Sequence, residues 1–143
     1  MDNNMKRTII LEHYQNPKNK GLVSDDDYTF VNMNNESCID EINLMVKIED
    51  DIIKDIRFDG EACAICTSAT SVMIETLIGK EVSVAKEILK NYEYMLDEKE
   101  YNENVLESAA IYSDISKQPN RKKCALLAWW GIKKVLKEDD YEK

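Results

Sequence analysis

The sequence has 143 residues, of which 43% are hydrophobic, and a formal net charge of −9. Its length predicts a single domain over residues 1–143, and its hydrophobic content excludes a disordered chain. The acidic charge argues against nucleic-acid binding, which needs many Lys and Arg side chains to neutralise phosphates. No apolar stretch approaches the roughly 20 residues of a membrane-spanning helix, and the first ten residues lack a signal-peptide pattern, so we expect a cytoplasmic protein without a membrane segment.

The first half of the chain predicts one short helix followed by a sheet. Residues 5–14 place apolar side chains at helical spacing, and the turn sequence QNPKNKG ends this helix. Three segments with apolar–polar alternation follow, at 28–35, 41–50 and 51–60, and predict an antiparallel meander with one buried face. In the third strand, a strict period of two puts Ile53 on one face and Ile56 and Phe58 on the other.

The second half of the chain changes to a helical period. Helices are predicted over 64–78, where Gly79 provides the C-terminal cap, over 81–96, and over 121–138. The polar stretch 97–116 is expected to hold at most a short helix around 105–112. This order predicts an α+β fold, in which a three-stranded antiparallel sheet packs against several α-helices.

The four cysteines of the chain are candidates for metal binding or catalysis, because cytoplasmic cysteines are normally reduced. Cys38 precedes the second strand, and Asp40 follows on the same side of an extended backbone. Cys63 stands at a helix start, which stabilises a thiolate, and Cys124 follows the basic run 121–123. Three sulfurs and one carboxylate would complete a tetrahedral zinc set, although such long separations are by themselves a weak signal.

Cys63 also belongs to a C-x-x-C motif with Cys66. A redox pair of this kind is expected after a parallel strand–helix–strand unit, whereas the strands here predict a meander. We therefore expect Cys63 to act with distant partners and Cys66 to fill space in the core beside Thr70 and Met73. Competition for the metal, and receipt of sulfur from Cys63, stay open as other roles for Cys66.

Four segments in this order, ILEHYQNPKNKG, NNESCIDEI, FDGEACAICTSATSVM and RKKCALLAWW, resemble the U-type proteins of iron–sulfur cluster assembly. The resemblance is strongest to the SufU branch, because Lys123 replaces the histidine that precedes the last cysteine in IscU-type scaffolds. Arg121 and the long polar stretch before it also match that branch. Ile39 stands where the family usually has glycine, and Cys66 where it usually has serine or a similar small residue.

The resemblance implies a set of functional residues. Zinc would be bound by Cys38, Asp40, Cys63 and Cys124. Sulfur would come from a pyridoxal-phosphate-dependent, SufS-like cysteine desulfurase, with Cys38 as the acceptor, and would pass to downstream cluster-assembly proteins. Two alternatives are a scaffold that builds an iron–sulfur cluster on the same cysteines and a structural zinc protein that acts only by binding a partner. Lys123 favours the sulfur acceptor over the scaffold.

The only histidine and the basic run before Cys124 remain to be assigned. We expect His13 to be structural, since it lies in a motif that ends a helix. Arg121 either faces solvent or points at the metal site, where it would tune the negative charge of three thiolates and a carboxylate around a divalent ion.

Overall fold

The computed structural model describes residues 1–35 and 39–141, with side chains described up to residue 137. In chain order the elements are α1 (Asn3–Gln15), β1 (Thr29–Asn34), β2 (Glu41–Glu49), β3 (Ile52–Glu61), α2 (Ala64–Leu77), α3 (Val82–Leu96), a 3₁₀ segment (Glu103–Lys117) and α4 (Pro119–Tyr141). The predicted α+β fold is confirmed. Within the described ranges, no helix is both long and apolar enough to cross a membrane.

The three strands form an antiparallel sheet in the order β1-β2-β3. One face of this sheet is buried beneath the helices; its buried residues are Val31, Ile42, Leu44, Val46, Ile53, Ile56 and Phe58. Helix α4 packs closely on β1 and β2. A Cβ atom at Gly131 would lie only 2.6 Å from Leu44 Cδ1, so a larger residue at this position would require the side chains of the sheet to shift.

The prediction for the face of Ile53 was wrong. Ile53 is fully buried together with Ile56 and Phe58, because the pairing of β2 with β3 contains a register shift. Val46 pairs with Ile56, but Ile48, two residues further along, pairs with Ile53. The extra residue on β3 returns Ile53 to the core face, as expected for a β-bulge.

Helix α2 runs through the centre of the helical layer and contacts α1, α4 and the 3₁₀ segment. Its side chains are buried almost all round, from Cys66 to Leu77 with Glu75 exposed. Its burial therefore extends beyond the one apolar face that a helical period indicates. As a consequence, the first turn of α2 is held in place by neighbours on several sides.

The polar stretch before α4 is more ordered than its sequence indicates. The 3₁₀ segment buries Leu106, Ala109 and Tyr112 against the core, and a residue with positive φ, Glu107 at 50°, kinks it. The aromatic core lies beside it, where the rings of Tyr92 and Trp129 stack with centroids 3.9 Å apart.

Candidate metal centre

The sheet register brings Asp40 next to Cys63. Glu41 at the start of β2 pairs with Glu61 at the end of β3, so the residues just beyond this last pair leave the sheet side by side. The Cys63 backbone N–H donates to Asp40 Oδ1 at 2.8 Å, and Cys63 Sγ lies 3.8 Å from Asp40 Oδ2. A hydrogen bond from a backbone amide thus orients the carboxylate toward the thiol.

Gly60 makes this junction possible. Its φ of +129° lies in a region that residues with side chains rarely adopt. A Cβ atom there would lie 2.0 Å from the Glu41 carbonyl oxygen, which is far inside van der Waals contact. Glycine at position 60 therefore lets the ends of β2 and β3 approach closely enough to join Asp40 and Cys63.

Helix α4 brings the third donor. The ligand atoms of Asp40, Cys63 and Cys124 all lie within 4.8 Å of one another. Donors about 2.3 Å from a tetrahedral zinc ion are roughly 3.8 Å apart, so a small contraction would suit a common ion. Asp40 and Cys124 are buried and Cys63 is half-buried, which leaves the cluster one accessible side.

The chemistry of these donors suits a cation. Burial raises the pKa of the Cys124 thiol well above its usual range, and the adjacent Asp40 carboxylate and Cys63 thiol raise it further. Like charges oppose one another in a buried site. No described contact supplies a Lys or Arg side chain to Asp40, Cys63 or Cys124. A divalent metal ion would balance the three donors and stabilise the thiolates.

Two sequence predictions about the surroundings of this site have different outcomes. Cys38, the fourth predicted ligand and the predicted sulfur acceptor, lies outside the described residues. Its neighbour Ile39 is 77% exposed. Arg121 is exposed, and no described contact joins it to the three donors, which agrees with the solvent-facing alternative.

Cys66 is outside the donor cluster. It is completely buried, and its backbone N–H donates to Cys63 Sγ at 3.4 Å, which makes Cys63 the N-terminal cap of α2. Cys63, Cys66 and Cys124 are all reduced in the structure. The predicted core position of Cys66 therefore agrees with the structure.

The His13 cluster, made of His13, Ser71, Glu75 and the Lys18 backbone, fixes the N-terminal segment to the middle of α2. The His13 Nδ1 and Ser71 Oγ atoms are 2.7 Å apart, and the Lys18 N–H donates to Ser71 Oγ at 2.8 Å. His13 Nε2 faces Glu75 Oε2 at 3.4 Å. Both ring nitrogens of His13 therefore have a polar partner. The structural role expected for His13 agrees with this geometry, but its partner Ser71 could not be identified from sequence.

Comparison with known proteins identifies relatives over almost the whole chain. Residues 5–125 match the family model of the NifU-like N-terminal domain. The zinc-dependent sulfurtransferase SufU of Bacillus subtilis is 38% identical over 93% of this chain and 90% of its own length. The iron–sulfur cluster assembly scaffold protein IscU of Thermotoga maritima is 35% identical over 94% of both chains.

Solved structures share the same fold. A crystal structure from Fervidobacterium islandicum, described as a candidate iron–sulfur cluster assembly scaffold protein of the SUF system, superposes with a TM-score of 0.81 at 37% identity over 85% of this chain and 88% of its own. The N-terminal part of a NifU-like protein from Brucella abortus has a TM-score of 0.84 at 17% identity, covering 99% of this chain and 100% of its own. The second likeness concerns the fold alone.

Proposed function

The chain belongs to the NifU-like N-terminal domain family, and from this premise we propose that it is a zinc-dependent sulfur acceptor for iron–sulfur cluster assembly, acting as one domain over residues 1–143. Its proposed metal ligands are Cys38, Asp40, Cys63 and Cys124. The observation that carries the proposal is the convergence of three of these donors within 4.8 Å. The similarity to the SufU of Bacillus subtilis, a protein named for zinc dependence and sulfur transfer, supports it.

The proposed reaction is a transfer of sulfane sulfur between two thiols. The Cys38 thiolate attacks the outer sulfur of a persulfide on a cysteine desulfurase. A new sulfur–sulfur bond forms on Cys38, the bond within the donor persulfide breaks, and the desulfurase cysteine leaves as thiolate. Electrons and atoms balance without an added oxidant. A bound zinc ion would hold the cysteines as thiolates while limiting their reactivity.

The described residues define what the chain itself contributes to this step. Asp40 is fixed by the Cys63 backbone, and Cys63 and Cys124 are anchored on helix starts, so these three donors form the rigid part of the centre. In the sequence Cys38 falls between β1 and β2, and segments that connect such elements often carry function. We propose that Cys38 is the acceptor for this reason.

The partners and setting follow from the same chemistry. A pyridoxal-phosphate-dependent cysteine desulfurase would be the sulfur donor, and downstream cluster-assembly proteins would receive the sulfur. The reaction requires free thiols, which the cytoplasm maintains. We therefore propose a cytoplasmic protein that docks transiently on a desulfurase.

A cluster scaffold is the second candidate function. It is favoured by the 35% identity to the Thermotoga maritima protein named as an IscU scaffold. Lys123 directly before Cys124 argues against it, since the scaffold branch has histidine at this position. Protein purified without oxygen separates the two functions: one zinc per chain and no iron chromophore support the sulfur acceptor, whereas transfer of an intact cluster to an acceptor protein would support the scaffold.

The decisive test of sulfur acceptance measures desulfurase turnover with and without this protein. We expect stimulation by the wild-type chain and its loss in Cys38→Ala, together with loss of the persulfide on the tryptic peptide that carries Cys38. Asp114→Ala removes an exposed carboxylate that pairs with Lys6 and serves as the control. Zinc binding without any stimulation would instead indicate a structural zinc protein.

A further inference from the structure

The start of α2 carries a second thiol that the sulfur-acceptor reaction does not use. Cys66 is completely buried, so it cannot meet the persulfide of a partner protein directly. Any oxidised sulfur that reaches Cys66 must therefore be carried by a neighbouring residue of this chain. Cys63, which is half-buried and caps the helix, is in the position to carry it.

The positions of Cys63 and Cys66 at the start of α2 are compatible with a disulfide between them. Cys63 is the N-terminal cap and Cys66 the third residue of the helix, and the Cys66 N–H donates to Cys63 Sγ at 3.4 Å. In a capping box, the side chain at each of these two positions reaches the backbone N–H of the other residue. Residues three apart in a helix have Cα atoms roughly 5 Å apart, within the range of about 4.4–6.8 Å seen for disulfides.

We propose that Cys66 is a resolving thiol, which discharges sulfane sulfur from Cys63 as sulfide by closing a Cys63–Cys66 disulfide. This proposal rests on the proposed sulfur-acceptor function for its biological role. It assigns Cys66 a reaction where the sequence predicted only packing.

The proposed step is balanced within the chain. The Cys66 thiolate attacks Sγ of a Cys63 persulfide, a bond forms between the two Sγ atoms, and the outer sulfur leaves as hydrosulfide. The outer sulfur gains two electrons, which the two cysteine sulfurs supply as they form the disulfide. A dithiol reductant would then restore both thiols. A sulfur in a disulfide is no longer a thiolate ligand, so closure would also remove Cys63 from the donor cluster.

Cys124 is the competing partner for Cys63, because its sulfur lies within 4.8 Å of the Cys63 sulfur. Cys124 lies on a different helix, α4. The C-x-x-C pair closes a much shorter loop, and a short loop has a smaller entropic cost of closure. We therefore expect the Cys63–Cys66 disulfide rather than a Cys63–Cys124 disulfide.

Trypsin separates the possible products cleanly. Cleavage after Arg57 and Lys80 puts Cys63 and Cys66 on the single peptide 58–80, whereas Cys38 lies on 21–47 and Cys124 on 124–133. A disulfide within 58–80 lowers the mass of one peptide by two hydrogen atoms and blocks its alkylation. Any other pairing joins two peptides.

The first arm of the experiment tests the pair without sulfur transfer. The zinc-loaded protein is treated with hydrogen peroxide, which oxidises a thiolate to a sulfenic acid that a second thiol converts to a disulfide and water. We expect the internal disulfide in peptide 58–80 and its loss in Cys66→Ser and Cys66→Ala. A link between 58–80 and 124–133, or an over-oxidised Cys63 beside an alkylated Cys66, would overturn the proposal.

The second arm tests the discharge itself. The protein is loaded with inorganic polysulfide, desalted, and kept without oxygen or reductant while released sulfide and the 58–80 disulfide are measured. We expect one sulfide for each disulfide, and no sulfide release from Cys66→Ser, which should retain its sulfane sulfur and its zinc content. Wild-type protein that keeps its persulfide, or that releases sulfide without the disulfide, would contradict the proposal.

The results of these two experiments do not depend on whether the protein accepts sulfur from a desulfurase. Polysulfide loads thiols chemically and needs no desulfurase, so desulfurase stimulation can be lost while the pair still closes. Conversely, stimulation that requires Cys38 together with an inert Cys66 would uphold sulfur acceptance and reject discharge through Cys66.

Discussion

Helix α2 carries two polar clusters that differ in how they are satisfied. The His13 cluster beside the middle of the helix is complete, since each described donor faces an acceptor. The donor cluster of Asp40, Cys63 and Cys124 at the helix start instead brings three acidic groups together. Acidic groups held this close together in a buried site repel one another when they are ionised. The complete cluster is therefore suited to hold the fold, and the incomplete one is suited to bind something from outside.

Replacement of Gly60 should have the largest effect on the donor cluster, because it prevents the close approach of β2 and β3 that brings Asp40 next to Cys63. Gly60→Ala combines a positive φ with a collision at the Glu41 carbonyl, and we expect it to lower the free energy of unfolding by about 3 kcal/mol and to reduce zinc binding. Urea unfolding and metal analysis measure both effects.

Gly79→Ala is the matched control for this substitution. Gly79 also has a positive φ, of +88°, but an added Cβ would meet nothing within 4 Å. Its cost should be only the backbone strain of about 1 kcal/mol, with zinc binding retained. Equal effects of the two alanine substitutions on zinc content would show that the close approach at Gly60 does not position the donors.

Loss of a donor should remove the metal while the His13 cluster remains intact. Asp40→Ala, Cys63→Ala and Cys124→Ala are each expected to lose zinc, whereas Cys66→Ala keeps it. A ligand present at a thousand times its dissociation constant stabilises the folded state by about 4 kcal/mol. Addition of a chelator should therefore lower the Tm of the wild type and leave these three variants unchanged.

A substitution in the His13 cluster should have the opposite result: lower stability with normal zinc binding. Ser71→Ala removes the hydroxyl that joins His13 to the Lys18 backbone, and we expect it to lower the free energy of unfolding by about 1–3 kcal/mol with normal zinc content. Ser83→Ala, at an exposed serine of α3, should change stability by no more than about 0.5 kcal/mol. A loss of zinc in Ser71→Ala would contradict the division of roles between the clusters.

The hydrogen bond between Tyr28 and Asp55, which lies outside both clusters, should have the smallest effect on stability. The Tyr28 hydroxyl donates to Asp55 Oδ2 at 2.5 Å, and this hydrogen bond, with burial as the next cause, raises the pKa of Tyr28 to about 12. The folded state therefore favours the protonated phenol. Its contribution to stability is complete below about pH 10 and is lost as the pH rises toward 12.

Tyr28→Phe tests this alkaline dependence. The difference in unfolding free energy between the wild type and Tyr28→Phe should be constant near neutral pH and should shrink between about pH 10 and 12. A difference that does not change across this range would mean that the Tyr28–Asp55 hydrogen bond does not shift the titration.

The sequence predicted the elements well because their periodicity is local. It misplaced Ile53, since a bulge inserts a residue without altering the composition of the strand. It also understated the burial of α2, where hydroxyl residues are polar by type but are buried through bonds to the helix backbone. Thr70 donates to the Cys66 carbonyl at 2.8 Å and Thr76 to the Val72 carbonyl at 2.7 Å.

The site could be predicted from the sequence less well than the fold. Asp40 and Cys63 meet because two strand ends pair in one register, and Cys124 joins them because α4 crosses the sheet at Gly131. No local pattern contains this information, so spacing alone gave only a weak zinc set. The resemblance to U-type proteins supplied the ligand set, and the His13–Ser71 contact, which depends on packing between distant segments, could not be predicted.

X-ray absorption at the zinc edge of protein purified without oxygen tests the central claim most directly. The proposed ligands predict a first shell dominated by three sulfur atoms at about 2.3 Å with one lighter oxygen atom, and the same shell in Cys66→Ala, which keeps its zinc. A shell of nitrogen and oxygen alone, or a shell that loses a sulfur atom in Cys66→Ala, would contradict a metal centre built from these residues.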